Sequence, residues 1–406
     1  MISLKEYIIN EAFDDLLKLN YKDKQKLLDL DLEYGKVMLV ARYEITVREV
    51  SNIDEEFQKF KKSFIDNNKK YFPILKYKEL EYEKYNLEER VVNLRSEFLK
   101  LNCYISKYYI ENLDDIIRKI TYLKSFKDKN FKNSSIKIEK FNDDLIEQAL
   151  HIINTSKFEN PKDDMFKKTI SADEAAKIIK KNLNELKYDW DIIMKDDMLP
   201  RMGVNPEKTF RIKSSAKFSK VDIDSLIAHE IKAHVAKRYY GYQTGLFLFV
   251  FGLNGKNFFD EGLAIWNTFN LIKTQKPNAL YKIALSYISS YYCAKFDFCD
   301  AFIKIKELVK NNFSDEYIFN ILMRLKRSVI DTKQLGFWSG DIDYFGGYMA
   351  VKNMTDAERD IILKNNVGMS QIHDVDIINK FLSLNKFKPI DNDRLENIKK
   401  DYVFKN

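Results

Sequence analysis

The sequence predicts a predominantly helical α+β fold, in which an N-terminal helical region precedes a part that contains a small sheet. Of the 12 glycines only Gly35 precedes residue 203, and long stretches without glycine or proline are typical of helices. The first half also carries a seven-residue leucine repeat, and an alternating segment begins near residue 209. We therefore divide the chain into residues 1–130 and residues 131–406.

The leucine repeat predicts an amphipathic helix within the N-terminal region. Its positions are Leu80, Leu87, Leu94 and Leu101, with Val91, Phe98 and Ile105 on the interleaved positions. Such a stripe is usually buried against a neighbouring helix, as in a helical hairpin, although a coiled-coil arm is the alternative. The Lys-, Asn- and Ser-rich residues 113–140 predict a linker.

A strand followed by a helix is predicted after residue 208. Residues 209–216 alternate, with Phe210 and Ile212 on one face and charged residues on the other, as in a half-buried strand. Asp222 and Asp224 are candidate N-caps for the helix that follows.

That helix carries a pair of histidines five positions apart. His229 is followed directly by Glu230, and His234 completes an H-E-x-x-x-H pattern. Residues four apart lie about 40° apart around an α-helix, but residues five apart lie about 140° apart, so the imidazoles would diverge. A one-residue π-bulge would return both rings to one face, and such bulges concentrate at functional sites. The spacing therefore predicts a π-bulge.

A second helix supplies a third candidate ligand. Residues 258–272 show an apolar helical pattern that closes before Pro277, and Glu261 lies near its start. His229, His234 and Glu261 would give one zinc ion two nitrogens and one oxygen and leave a position for water, as in catalytic sites. Glu230 would then be the general base. The alternatives are core histidines with an ordinary first-turn glutamate, or a structural zinc site, although structural sites usually have four ligands and favour cysteine.

Composition excludes several other classes. The net charge of +7 arises from 68 basic and 61 acidic residues, which is not the dense basic patch of a nucleic-acid binder. The charge would favour an acidic peptide partner, or simply reflect a mixed surface. Three scattered cysteines suit a reducing compartment. The N-terminus lacks a signal-peptide core, and the apolar residues 246–251 are too few to cross a bilayer, so we expect a cytoplasmic protein without membrane contact.

Together these motifs resemble those of the tubulin metallocarboxypeptidase family, typified by the microtubule-associated tyrosine carboxypeptidase and including bacterial relatives with a Q-E-G-L-A motif. The resemblance is carried by the His229–His234 motif, by Asp260-Glu261-Gly262-Leu263-Ala264 about 30 residues later, and by residues 211–219, and it covers roughly residues 140–360. Asp260 departs from the family, which has Gln or Glu there. The resemblance implies a gluzincin-like zinc peptidase whose zincin-like core consists of a small sheet and the active-site helix, and assigns residues 131–406 to that domain.

The family likeness also implies a carboxypeptidase. Such an enzyme must hold a free C-terminal carboxylate, and Arg211 with Lys213, two apart on one strand face, would do so. A solvated strand face is the alternative. Tyr344 is the candidate for stabilising the oxyanion, because the glycines at 346 and 347 permit close approach of a substrate.

We therefore predict a zinc-dependent metallocarboxypeptidase that hydrolyses the C-terminal peptide bond of a peptide or protein tail, with Glu230 as general base. A gluzincin aminopeptidase or endopeptidase remains open. So does a non-catalytic interaction protein that retains the zincin frame.

Overall fold

The protein is mainly helical and contains two small sheets. The computed structural model describes residues 14–45, 51–77, 81–125, 141–156, 167–196, 201–271, 276–310, 312–327, 329, 331–337 and 339–402. The predicted helical α+β class is confirmed.

Five helices are described in the first part of the chain. They are α1 (Tyr21–Glu44), α2 (Ile53–Phe60, continued by the π-helix Lys61–Ile65), α3 (Leu87–Lys100), α4 (Ser106–Ser125) and α5 (Asp143–Thr155). Helices α3 and α4 form the predicted antiparallel hairpin: Phe98 stacks on Tyr109 with 4.1 Å between ring centroids. The leucine-repeat positions from 87 to 105 are buried, whereas Leu80 lies outside the described residues.

The predicted linker was wrong for residues 113–125, which belong to α4. Leu113, Ile116, Ile120 and Leu123 are all buried. Their spacing of three or four residues gives α4 an apolar stripe despite the polar residues between them. Residues 126–140 lie outside the described part of the chain.

The larger sheet has three strands, β2 (Asp191–Lys195), β3 (Met202–Asn205) and β4 (Thr209–Lys213). Strand β4 lies in the middle, parallel to β2 and antiparallel to β3. The short strands β1 (Ile170–Ser171) and β5 (Lys217–Phe218) pair separately, and α6 (Ala172–Glu185) follows β1. As predicted, Phe210 and Ile212 are fully buried, while the charged residues Arg211 and Lys213 on the other face are half-buried.

A continuous helix follows β5 and is called the motif helix (residues 220–243). It consists of α7 (Lys220–Leu226), the π-helix Ile227–Val235 and α8 (Ala236–Gln243). Its N-cap is Ser219, so the prediction of Asp222 or Asp224 was wrong. Ser219 Oγ accepts from the Asp222 N–H, and the Asp222 carboxylate accepts from the Ser219 N–H, which is a capping box.

The remaining helices surround the motif helix and extend the molecule. They are α9 (Phe247–Phe251), α10 (Asn257–Leu271), α11 (Lys276–Lys295), α12 (Phe298–Val309), α13 (Asp315–Lys326), α14 (Ile342–Lys352), α15 (Asp356–Asn365), α16 (Val375–Asn385) and α17 (Asn392–Lys399). Helix α10 packs against both the π-helical segment and α14. None of the helices in the described ranges is long and apolar enough to cross a membrane.

The N-terminal helices share a core with the second part of the chain. Residues of α1, α3 and α4 form one apolar cluster with the larger sheet, the motif helix, α9, α16 and α17. A second cluster joins α2 and α5 to α11, α12 and α13. The predicted boundary at residue 130 falls outside the described residues, and the cores extend across it.

One buried carboxylate ties α1 to α9. Asp31 accepts hydrogen bonds from the Phe247 and Leu248 N–H groups at 2.9 and 3.1 Å and from the Tyr109 hydroxyl at 2.7 Å. The Arg394 guanidinium of α17 lies 3.2 Å away. Asp31 therefore supplies the N-terminal partners of an apolar helix that is distant in sequence.

Candidate metal centre

The π-helical segment directs two histidines to the same side of the motif helix. Because π-type hydrogen bonds join residues five apart, side chains at that spacing lie above one another. The rings of His229 and His234 have centroids 5.1 Å apart and an interplanar angle of 72°. The structure thus has a nine-residue π-helix where the spacing predicts a one-residue bulge.

Glu261 of α10 faces both imidazoles. Its Oε2 lies 3.6 Å from His229 Nε2 and 4.0 Å from His234 Nε2. One donor atom from each of the three side chains lies within 4.8 Å of the others. The Glu261 Oε2 atom is buried and makes no hydrogen bond among the described residues. The sequence-predicted ligand set is therefore assembled from two separate helices.

A glycine contact brings α10 close to α14. A Cβ on Gly262 would lie 2.4 Å from the carbonyl carbon of Gly347, and a Cβ on Gly347 would lie 2.0 Å from the carbonyl oxygen of Phe258. Neither helix backbone leaves room for a side chain there. The glycine after Glu261 is thus needed for packing, and the same contact fixes the position of the carboxylate.

The electrostatics of the cluster suit metal ligation. Burial lowers the pKa of His234 to about 4, so this imidazole is neutral at physiological pH. Burial is the largest influence on Glu261 and opposes its ionisation, but its contact with His229 and the charges of both imidazoles together outweigh burial and lower the pKa of the carboxyl. Conversely, burial opposes the His229 imidazolium, while the Glu261 and Glu230 carboxylates favour it and raise its pKa. Burial raises the pKa of Glu230 above its ordinary value.

The family model described as microtubule-associated tyrosine carboxypeptidase matches residues 62–389. The chain belongs to this family. The match extends well beyond the roughly 220 residues that carry the sequence resemblance, and it includes the histidine pair, Glu230 and Glu261. Membership of this carboxypeptidase family supports peptidase activity. No curated protein matches the chain.

Asp260, the departure from the usual carboxypeptidase-family pattern, lies between the buried Lys237 and the half-buried Lys256. Lys237 Nζ is 2.7 Å from Asp260 Oδ1, and Lys256 Nζ contacts Oδ2. Burial opposes ionisation of Asp260, yet the two ammonium groups hold the pKa of its carboxyl well below the ordinary value. The acidic residue is therefore required here to balance charges that a glutamine would leave uncompensated.

Tyr344 lies on α14 close enough for the Glu261 charge to act on its hydroxyl. Burial and that charge raise the pKa of Tyr344. The Arg324 guanidinium lies 5.8 Å from the Tyr344 ring centroid and pairs with the buried Asp341 at 2.5 Å. The structure thus places this predicted site residue on the Glu261 side of the cluster, with its hydroxyl protonated.

Arg211 is already paired with groups of the protein. Its guanidinium donates to the Tyr43 hydroxyl at 2.8 Å and lies 3.4 Å from Glu207 Oε1. Lys213 makes no hydrogen bond or ion pair among the described side chains. The two residues share a strand face, as predicted, but only Lys213 has an unpaired charge.

Sequence reasoning missed three basic residues around the centre. Lys237 and Arg238 are 1% and 8% exposed, although charged residues late in a helix are normally solvated. Arg42 on α1 also lies close enough for its charge to act on Glu230. The sequence signal that could have indicated Arg238 is its position four residues after His234, which places both residues on the same side of the motif helix.

Proposed function

We propose that the chain is a zinc-dependent carboxypeptidase that removes a C-terminal residue from a peptide or protein tail. The observation that carries this proposal is the convergence of His229, His234 and Glu261 within 4.8 Å, next to Glu230. Family membership supports the reaction class. We also propose that the motif helix and the small sheet form a zincin-like core.

The donor set fits one zinc ion. Two imidazole nitrogens and one carboxylate oxygen, with a remaining position for solvent, is the set found in catalytic zinc sites. Donors at about 2.0–2.1 Å around a tetrahedral centre lie about 3.4 Å apart, close to the 3.6 and 4.0 Å separations from the carboxylate oxygen. The buried Glu261 Oε2 without a hydrogen bond is a further reason to expect a cation there.

Glu230 is proposed as the general base. When bound, zinc would polarise the peptide carbonyl and lower the pKa of a water molecule to about 7. The Glu230 carboxylate would accept a proton from the attacking water and return it to the leaving amine. Its raised pKa suits this exchange, because a base is most effective when its pKa approaches the working pH.

The Tyr344 hydroxyl is proposed to stabilise the oxyanion. It lies on the Glu261 side, and its raised pKa keeps it a hydrogen-bond donor. Arg324, held by Asp341, would orient it. Arg211 and Lys213 remain predicted substrate-binding residues, and Lys213 is the one with an unpaired charge.

The family name suggests that the residue removed is tyrosine. We propose a protein tail that ends in tyrosine as the substrate class. The family name also favours an intracellular protein as the substrate. A tail with acidic residues would suit the net charge of +7.

The test combines zinc quantification with cleavage of matched peptides that end in tyrosine, one with a free and one with an amidated C-terminus. We expect about one zinc per chain and cleavage of the free acid alone. Equal cleavage of both peptides would indicate an endopeptidase, and cleavage only from the N-terminus an aminopeptidase. Zinc without any cleavage would favour an interaction protein that retains the frame.

The matched variant is Glu230→Gln, which keeps shape and removes the base. We expect zinc to be retained and kcat to fall by about 10²–10⁴-fold, the usual contribution of a general base. Full activity in this variant would exclude Glu230 from the chemistry.

A further inference from the structure

Arg238 is a buried arginine that pairs with no carboxylate in the part of the chain that the structure describes. Only 8% of the surface of this residue is exposed. Its Nε is enclosed, and the guanidinium makes no hydrogen bond or ion pair within the described ranges. A buried guanidinium normally pairs with a carboxylate, because burial of an isolated charge is costly. Arg238 is therefore a candidate for binding an anion from outside the chain.

A second arginine lies beside it. The Arg42 charge acts directly on Arg238 and, after burial, is the largest factor that lowers its pKa, to about 10. Arg42 donates only to the Val204 carbonyl oxygen at 3.3 Å and pairs with no carboxylate among the described residues. Two neighbouring guanidiniums repel each other, so their juxtaposition is favourable when an anion lies between them.

The charges around the pair leave a positive excess. The guanidiniums of Arg42, Arg211 and Arg238 share two carboxylates, those of Glu207 and Glu230. Asp260 also acts on Arg238, but it already faces two lysines. The region around Glu230 therefore lacks at least one negative charge, which a single substrate carboxylate would supply.

The location matches the chemistry of a carboxypeptidase. The leaving residue takes its proton from the general base, and its carboxylate carbon is two bonds, about 2.5 Å, from the scissile nitrogen. A terminal-carboxylate anchor must therefore lie beside Glu230, where the charges of Arg238 and Arg42 both act. Tyr344 lies close enough to Glu261 for that charge to act on its hydroxyl, which suits its proposed role at the oxyanion rather than at the terminal carboxylate.

We propose that Arg238, assisted by Arg42, binds the C-terminal carboxylate of the substrate. This inference rests on the proposed carboxypeptidase function and reassigns a role that the sequence gave to Arg211. Arg211 is less suited because Tyr43 and Glu207 already occupy its guanidinium. Arg238 sets exopeptidase specificity, since an amidated or internal segment cannot satisfy the paired positive charges.

The experiment measures peptide binding in the zinc-loaded Glu230→Gln protein, which separates recognition from turnover. The probe is a labelled six-residue peptide that ends in tyrosine, as free acid and as amide. We expect the free acid to bind about 10²–10³-fold more tightly than the amide. Adding Arg238→Gln should weaken binding of the acid by about 10²–10³-fold and leave the amide unchanged, as for loss of a buried charge partner. Arg238→Lys should keep part of the preference, because it retains charge but not the bidentate geometry.

Arg42→Gln and Arg211→Gln complete the comparison, with zinc content and circular dichroism as folding controls. Arg42→Gln should reduce the preference for the acid, and it carries the test if Arg238→Gln does not fold. Arg211→Gln tests the rival assignment, in which the preference would be lost in that variant and kept in Arg238→Gln. Equal binding of acid and amide in the parent protein, survival of the preference without Arg238, or its loss in Arg211→Gln alone would each overturn the inference. Absence of peptide cleavage by the wild type, with the carboxylate preference intact, would instead reject the peptidase and leave the anchor standing.

Discussion

The contact between α10 and α14 predicts different outcomes for alanine at two adjacent glycines. At Gly347 a Cβ would lie 2.0 Å from the Phe258 carbonyl oxygen, and real contacts of this kind are almost never below 3.0 Å. The helices would have to separate by at least about 1 Å. At Gly346 the nearest atom, 3.1 Å away, is a ring carbon of Phe258, which a side-chain movement can relieve. Gly346→Ala is therefore the matched control.

The expected energies follow from two opposing effects. Overpacking a well-packed site costs about 1–3 kcal/mol, and backbone clashes fall at the upper end. Alanine is favoured over glycine within a helix by about 1 kcal/mol. Gly347→Ala should therefore lower the free energy of unfolding by about 2 kcal/mol, whereas Gly346→Ala should change it by less than about 1 kcal/mol.

Denaturant unfolding followed by circular dichroism measures this difference, and chelator competition measures zinc affinity. Since Glu261 precedes Gly262, displacement of α10 should weaken zinc binding in Gly347→Ala by about 10–100-fold, the range seen when ligand orientation is lost. If both alanine variants unfold alike and bind zinc alike, the glycine contact does not position Glu261.

Three further outcomes are expected. Zinc affinity should fall as the pH decreases through the raised pKa of His229, by about tenfold per pH unit, because zinc has to displace one proton. Chelator competition between pH 5 and 8 measures this, and a pH-independent affinity would contradict it. Asp31→Ala should cost about 3–5 kcal/mol in denaturant unfolding, because it strips α9 of its partners and leaves Arg394 unpaired, whereas a loss below about 1 kcal/mol would show that water replaces the carboxylate. Asp260→Asn should destabilise far more than Lys237→Met, since only the former leaves the ammonium groups of both the buried Lys237 and the half-buried Lys256 without a counter-charge; equal losses would refute that account.

Local patterns in the sequence were sufficient to predict that His229, His234 and Glu261 lie together, and to predict the helical hairpin. Two histidines five positions apart can bind one metal only if the helix between them departs from α-helical geometry. The spacing of His229 and His234 therefore predicts a local backbone conformation by itself. The leucine repeat did the same for α3, because a stripe of that period has to be buried.

The sequence was misleading where a contact is distant or a charge is buried. Arg211 looked like a free strand cation, yet its partner Tyr43 is 168 residues away on α1. Arg238 and Lys237 were not singled out, because burial of a charge depends on tertiary neighbours that no local pattern contains. The pattern of the Ser219–Asp222 capping box is present in the sequence, but the N-cap was predicted at Asp222 or Asp224, at least three residues too far along the chain.

The tie between α1 and α9 bears on how this protein can be shortened. The family match spans residues 62–389 and therefore omits α1 and α17. Helix α1 provides Asp31 and Arg42, and α17 provides Arg394. A fragment cut to those limits would leave the N-terminal amides of α9 without acceptors and open the apolar residues 246–251 to solvent. It would also lack one of the two proposed carboxylate-binding arginines. The stretch matched by the family model is thus smaller than the unit whose helices share one core, and domain swaps or expression trials should begin no later than residue 21.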